Sequence, residues 1–178
     1  MRLLELGEIQ ATANRIRAAA GIEPEDVVPD IVSVLRALGL VVAMRELGSE
    51  ALDGIYVPAG GPLLVLNTAR SACRLRFTAA HVLAHHVYGD EPLVDRDVEA
   101  PTDDPVERRA SRFATCFLIS REAAWARRQQ VGPVTVRDAL DLARRFGVGY
   151  RVLVARLNDI GMVGEDVSET LLRAVGSR

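Results

Sequence analysis

The sequence predicts an α+β domain. Three observations carry this. Apolar residues recur at helical spacing from residue 3 to about 38, and again from about 69 to the C-terminus. Between them lie three short segments rich in Val, Leu and Ile, punctuated by Gly and Pro. The strands cluster in mid-chain and do not alternate with helices, which argues against a βαβ architecture.

In order, residues 3–20 read as a helix with Leu3, Leu6, Ile9, Ala13 and Ile16 on one face, ended by Gly21. Pro29 opens a second helix carrying Ile31, Val34, Leu35 and Leu38, closed by Gly39. Leu40–Leu47, Gly54–Pro58 and Leu63–Asn67 read as three strands of a small antiparallel sheet packed on helices. Residues 69–88 return to a helical pattern. Residues 89–104 form a loop with Pro92 and Pro101, and from Asp90 to Glu107 there are eight acids and one Arg. Helices follow at about 105–118, 121–130, 136–146 and 150–158, with a last short one within 166–174. Residues 1–162 are expected to form one domain, with 105–160 as its helical part, and 163–178 a short C-terminal tail.

Composition narrows the class. At 178 residues, 49% apolar and 26% charged, the chain is long enough for a real core and is neither disordered nor a disulfide mini-protein. Aromatic residues make up only 4%, so the core rests on aliphatic side chains. The net charge of −2 argues against a polycation that coats nucleic acid, although a local basic patch remains open. All 22 basic residues are Arg. Cys73 and Cys116 do not make a disulfide framework, the first residues lack a signal-like apolar stretch, and no run of about 18 apolar residues exists to span a membrane. The expectation is a cytoplasmic, soluble protein.

The chemistry concentrates in His81-Val82-Leu83-Ala84-His85-His86, which holds all three histidines. At about 100° per residue, His81 and His85 share one helix face and can bind one ion, while His86 points elsewhere. A zinc site needs a third protein ligand and an open position for water. Glu107 follows His85 by 22 residues, close enough for a second antiparallel helix to return its carboxylate. Two plainer readings stand beside this. The histidines can simply line a half-buried face. Glu107 can serve as the N3 partner of a capping box in Asp104-Pro105-Val106-Glu107. Cys73, two turns (about 11 Å) before His81, is too distant to be a ligand and reads as packing, as does Cys116.

Asp53-Gly54-Ile55-Tyr56-Val57-Pro58, Leu64-Val65-Leu66-Asn67 and Arg76-Phe77-Thr78-Ala79-Ala80-His81, followed by Glu107, Ala110, Phe113 and Ala114, resemble the ImmA/IrrE family of zinc metallopeptidases. Phe146-Gly147-Val148-Gly149 and Val154-Ala155-Arg156-Leu157 extend the resemblance over about residues 5–162. It implies a zincin-like fold, zinc held by His81, His85 and Glu107, and action on a helix-turn-helix repressor or antitoxin-like partner in phage immunity, stress response or toxin–antitoxin systems. Ser111 stands where the family usually has Asn.

One departure outweighs the agreements. The family's general base is the Glu directly after the first metal His, and here that position is Val82. An isopropyl group cannot accept a proton, and a positioned base is typically worth about 10²–10⁴ in rate. The resemblance therefore implies a catalytically impaired, partner-binding protein. An active endopeptidase would need a substitute base from Asp90, Glu91 or the acids of 95–104; the plainer reading of those acids is a solvated loop.

Residues 121–156 hold eight Arg against three acids, a local excess of five positive charges. Thr135-Val136-Arg137-Asp138 reads as a capping box, and the two helices around Gly147 have a helix-turn-helix pattern. A DNA-binding regulator would use Arg144, Arg145 and Arg151. The alternative is that both helices pack beneath the metal helix and their Arg are ordinary surface groups.

Overall fold

The computed structural model describes residues 3–49, 51–58, 60–91, 93–95, 98–99, 102–128 and 132–176. Pro92, Asp97, Pro101 and the expected helix end at 129–130 lie outside the described residues.

Two helices come first, α1 (Leu3–Ala19) and α2 (Ile31–Ala37). Asp30, not Pro29, caps α2: its carboxylate accepts the Ser33 N–H at 2.9 Å. The strands β1 (Val41–Arg45), β2 (Gly54–Val57) and β3 (Leu63–Asn67) follow, then α3 (Ala72–Tyr88) and a short β4 (Leu93–Asp95). The helices α4 (Pro105–Leu118), α5 (Arg121–Ala126), α6 (Val136–Phe146), α7 (Tyr150–Asp159) and α8 (Glu165–Gly176) complete the described chain.

The sheet corrects the sequence reading in two ways. It has four strands in the order β1-β3-β2-β4, because Leu93–Asp95 of the expected loop pairs with β2. It is also mixed and not wholly antiparallel: β2 pairs antiparallel with β3 and β4, but β1 runs parallel to β3. The cause is the 46–53 connection, which carries the chain past β3 to its far side before the hairpin returns. Asn67, fully buried at the end of β3, holds that crossover. Its Oδ1 accepts from the Leu47 and Ala69 N–H groups at 3.1 Å each, and its Nδ2 donates to the Ser49 and Leu52 carbonyls at 2.8 and 2.7 Å. Three backbone groups of that connection are thereby satisfied from one side chain.

Helix α3 begins at Ala72, three residues later than the pattern suggests, because Ser71 is its N-cap. Phe77 through His85 are all buried, with β3 and α2 against parts of the helix and α4 alongside. A Cβ on Gly54 of β2 would meet Thr78 Cγ2 of α3 at 3.2 Å and the Val65 carbonyl at 3.1 Å. Buried Asp53 next door binds Arg70 Nε at 2.8 Å, Arg74 Nη2 at 2.8 Å and the Val98 N–H at 3.0 Å. Burial pushes the Asp53 carboxyl up, but the Arg74 and Val98 hydrogen bonds and the two guanidinium charges outweigh it and hold it below its ordinary value.

Helix α4 packs on both α3 and α1, with Phe113 and Phe117 stacked 5.8 Å apart in the seam. Three arginines close helix ends from neighbouring elements. Arg17, fully buried, donates to the Phe117, Glu23 and Asp26 carbonyls at 2.7–2.8 Å. Arg156 reaches the Ile119 carbonyl at 2.9 Å. Arg76 donates to the Phe146 and Pro29 carbonyls at 2.9 and 2.8 Å, and to Val28. Carbonyls at a helix C-terminus lack intrahelical partners, and a guanidinium fork supplies several donors at once. The capping box at Thr135 and Asp138 is present in full.

Candidate metal centre

The last turns of α3 and the first turns of α4 build the site. His81 and His85 lie one turn apart on α3, both fully buried. Their Nε2 atoms are 3.0 Å apart. Glu107, in the first turn of α4, places Oε2 at 3.0 Å from His81 Nε2 and Oε1 at 3.7 Å from His85 Nε2. One ligand atom from each of the three residues falls within 4.8 Å of the others, an arrangement that could hold a metal ion. The helix is capped by Asp104, which accepts the Val106 N–H at 2.8 Å. Glu107 is thus turned to the histidines, and the cap partner expected of it at N3 is not formed.

The donor set fits such an ion chemically. Two imidazole nitrogens and a carboxylate oxygen suit a borderline divalent cation, and three protein ligands leave a position open. Burial, and then the neighbouring His81 ring, push the His85 imidazole below its ordinary value, so it is neutral near pH 7, the form a ligand requires. His81 beside it holds the Glu107 carboxyl below its ordinary value against partial burial.

Val82 is fully buried within the core cluster. Asp90 lies at the opposite ring nitrogen of His85: its Oδ2 is 2.9 Å from His85 Nδ1. Arg109 Nη2 clamps the same carboxylate at 2.7 and 2.9 Å. Burial raises the Asp90 carboxyl, but the bonds from Arg109 and His85 more than offset this and lower it. Glu91, Asp103 and Asp104 are exposed, and Glu99 pairs with Arg74 at 3.5 Å. His86 leaves the cluster, as its helical angle requires, and bonds Tyr56 Oη through Nδ1 at 3.0 Å.

Sequence reasoning placed the three candidate ligands and missed their supports. The signal for Asp90 was the adjacent Gly89. With φ at +71°, Gly89 ends α3 in a left-handed turn, and the Asp90 N–H bonds back to the His85 carbonyl at 2.9 Å. This turn brings the carboxylate back onto its own helix. Ser111, facing His81 Nδ1 at 3.2 Å, was visible only as a departure from a family pattern.

Arg144, Arg145 and Arg151 are exposed on α6 and α7. Arg156 does not belong to that basic surface: it is buried and bonded to the Ile119 carbonyl. The expected 121–130 helix ends at Ala126, with Arg127 as its C-cap.

A paired-histidine helix that receives a carboxylate from the following helix, beside a small mixed sheet, defines a zincin-like metallopeptidase fold. The family model for the IrrE N-terminal-like domain, Peptidase_M78, matches residues 35–158, and the chain belongs to this family. No curated protein matches. Among solved structures, a Mycobacterium tuberculosis transcriptional regulator superposes with a TM-score of 0.58 at 20% identity, over 85% of this chain and 46% of that one. The chain thus spans about half the length of that relative. Among the described residues no helix is long and apolar enough to cross a membrane.

Proposed function

We propose that the chain is a zinc-binding, catalytically impaired regulator of the Peptidase_M78 family that works by gripping a helix-turn-helix repressor or antitoxin-like partner. The observation that carries this is the pairing of a three-ligand cluster with a buried isopropyl group, Val82, at the position of the general base. His81, His85 and Glu107 would hold the zinc, which as a Lewis acid lowers the pKa of bound water and polarises a carbonyl. No described carboxylate is well disposed to replace the base: Asp90 is taken by His85 and Arg109, and Glu99 by Arg74. Zinc then serves to brace the α3–α4 seam or to dock a peptide carbonyl.

The test has two stages. Elemental analysis of the purified, untagged chain should give about one zinc, lost in His81→Ala. With zinc in place, Val82→Glu should raise hydrolysis of an unfolded protein substrate by about 10²–10⁴. A wild-type chain that already hydrolyses it at the Val82→Glu rate, with all activity lost to chelator, would instead favour an endopeptidase with a substitute base.

A second reading, DNA binding, is favoured by one observation. α6 and α7 are joined by a three-residue turn, 147–149, with Gly147 left-handed at φ +65°, and Arg144, Arg145 and Arg151 are exposed around it. The structurally similar mycobacterial protein is a transcriptional regulator. DNA binding should then weaken steeply with salt and fall on Arg→Ala changes at these positions. Lack of a gel shift at low salt retires this reading.

A further inference from the structure

Two side chains outside the ligand set decide which nitrogen each imidazole turns to the centre. His85 Nδ1 lies 2.9 Å from Asp90 Oδ2. A carboxylate clamped by a guanidinium only accepts, so His85 Nδ1 carries the hydrogen and Nε2 keeps its lone pair. His81 Nδ1 lies 3.2 Å from Ser111 Oγ, which is also 3.1 Å from the Val98 carbonyl. A carbonyl only accepts, and a hydroxyl has one hydrogen to give. Both contacts are hydrogen bonds together only if Ser111 donates to Val98 and accepts from His81 Nδ1–H. In the neutral ring that a metal ligand requires, His81 Nε2 then also carries the lone pair.

The consequence is electrostatic. Two Nε2 lone pairs face each other at 3.0 Å, with Glu107 oxygens at 3.0 and 3.7 Å. Three electron-pair donors converge, and only a shared proton or a cation between them relieves their repulsion. That set is repulsive by itself and complementary to a cation. The supports are themselves fixed. Arg109 clamps Asp90, and its guanidinium lies 4.2 Å from the centroid of the Tyr88 ring. The Gly89 turn fixes the Asp90 backbone.

We infer that Asp90 and Ser111 are positioning residues of the metal centre, Asp90 holding His85 and Ser111 holding His81 in the Nδ1–H form. This rests on the zinc reading above. Neither residue touches the ion; each acts through a histidine, by fixing its tautomer and ring angle.

Two measurements on the full chain test it. Competition against a chromophoric chelator gives zinc affinity, and long-range ¹H–¹⁵N NMR of the zinc-loaded protein reports which ring nitrogen carries hydrogen. Both histidines should show Nδ1–H. Asp90→Ala and Ser111→Ala should each lose roughly 10–100-fold in affinity, while Ser111→Asn, which keeps an acceptor oxygen, should stay near wild type. If Asp90→Ala does not fold, Arg109→Gln removes the clamp instead and should weaken zinc in the same direction. Alanine variants that bind zinc as tightly as wild type, or spectra with Nδ1 as the bound nitrogen, overturn the inference alone. A wild-type chain that takes up no zinc overturns the zinc reading and this inference with it.

Discussion

The Asp90 carboxylate meets His85 on the ring nitrogen opposite the one that faces His81, 2.9 Å from Nδ1. The same turn that ends α3 therefore brings a carboxylate onto its second histidine. The candidate metal cluster and the helix terminus are linked through this contact, so on the zinc reading stability should report on the metal.

Zinc in excess should accordingly raise the midpoint of thermal unfolding. At a hundredfold excess over Kd the gain is about 2.7 kcal/mol, which for a chain of this length is roughly 5–10 °C. Circular dichroism melts with and without chelator measure it. His85→Ala should melt at one temperature in both conditions; a zinc-dependent shift retained in that variant would place the ion elsewhere.

Asp53 should be a main electrostatic contributor to the sheet–helix junction. It is fully buried between Arg70 and Arg74. Removing it leaves the buried Val98 N–H without a partner, which costs about 1–3 kcal/mol, so Asp53→Ala should fall by about that amount in urea unfolding at pH 7. The folded carboxyl is lowered relative to its unfolded value. Its stabilisation is therefore present above the unfolded pKa, near 4, and lost as pH falls through the lower folded value. The variant should show a flatter acid limb than wild type below about pH 4. An equally steep limb would refute the assignment.

Two glycines should resist alanine for different reasons. Gly54→Ala would press a methyl against a backbone oxygen at 3.1 Å and Thr78 at 3.2 Å, an overpacking worth about 1–3 kcal/mol. Gly147→Ala combines a left-handed backbone, about 1–2 kcal/mol, with a contact of 3.0 Å to Arg76 Cδ. Denaturant midpoints of both variants check this. Gly7→Ala, where a Cβ meets nothing within 4 Å, is the control and should be neutral or better.

Arg17→Lys should destabilise although it keeps the charge. One ammonium cannot reproduce a planar fork to the Phe117, Glu23 and Asp26 carbonyls. Leaving the buried Phe117 carbonyl unmet costs about 1–3 kcal/mol, so the loss should be at least about 1 kcal/mol by urea unfolding. A lysine variant within 0.5 kcal/mol of wild type, roughly the scatter of surface changes, would show that the fork is dispensable.

Periodicity made most helices legible, because amphipathic spacing and caps such as Thr135 and Asp138 are local. The sheet was less so. β4 is three residues long, and its pairing with β2 depends on partners more than 30 positions away. The parallel β1–β3 pair depends on Asn67, whose bonds to the 46–53 connection leave no periodic trace. At the site, His81 and His85 were legible from their four-residue spacing. Glu107 needed the family resemblance to separate ligand from cap. Asp90 looked like one acid among eight until the Gly89 turn gave it a direction.

The stretch between α1 and α2 has no regular secondary structure, yet distant side chains close on its carbonyls. Arg76 binds Val28 and Pro29, Ser120 binds Pro24, and Arg127 binds Glu25. All four carbonyls precede residue 35, where the family match begins. A fragment trimmed to 35–158 would keep every candidate metal ligand, yet it would strip Ser120 and Arg127 of these acceptors and leave Arg76 only the Phe146 carbonyl, so the segment upstream of the family match contributes to closing the helices within it.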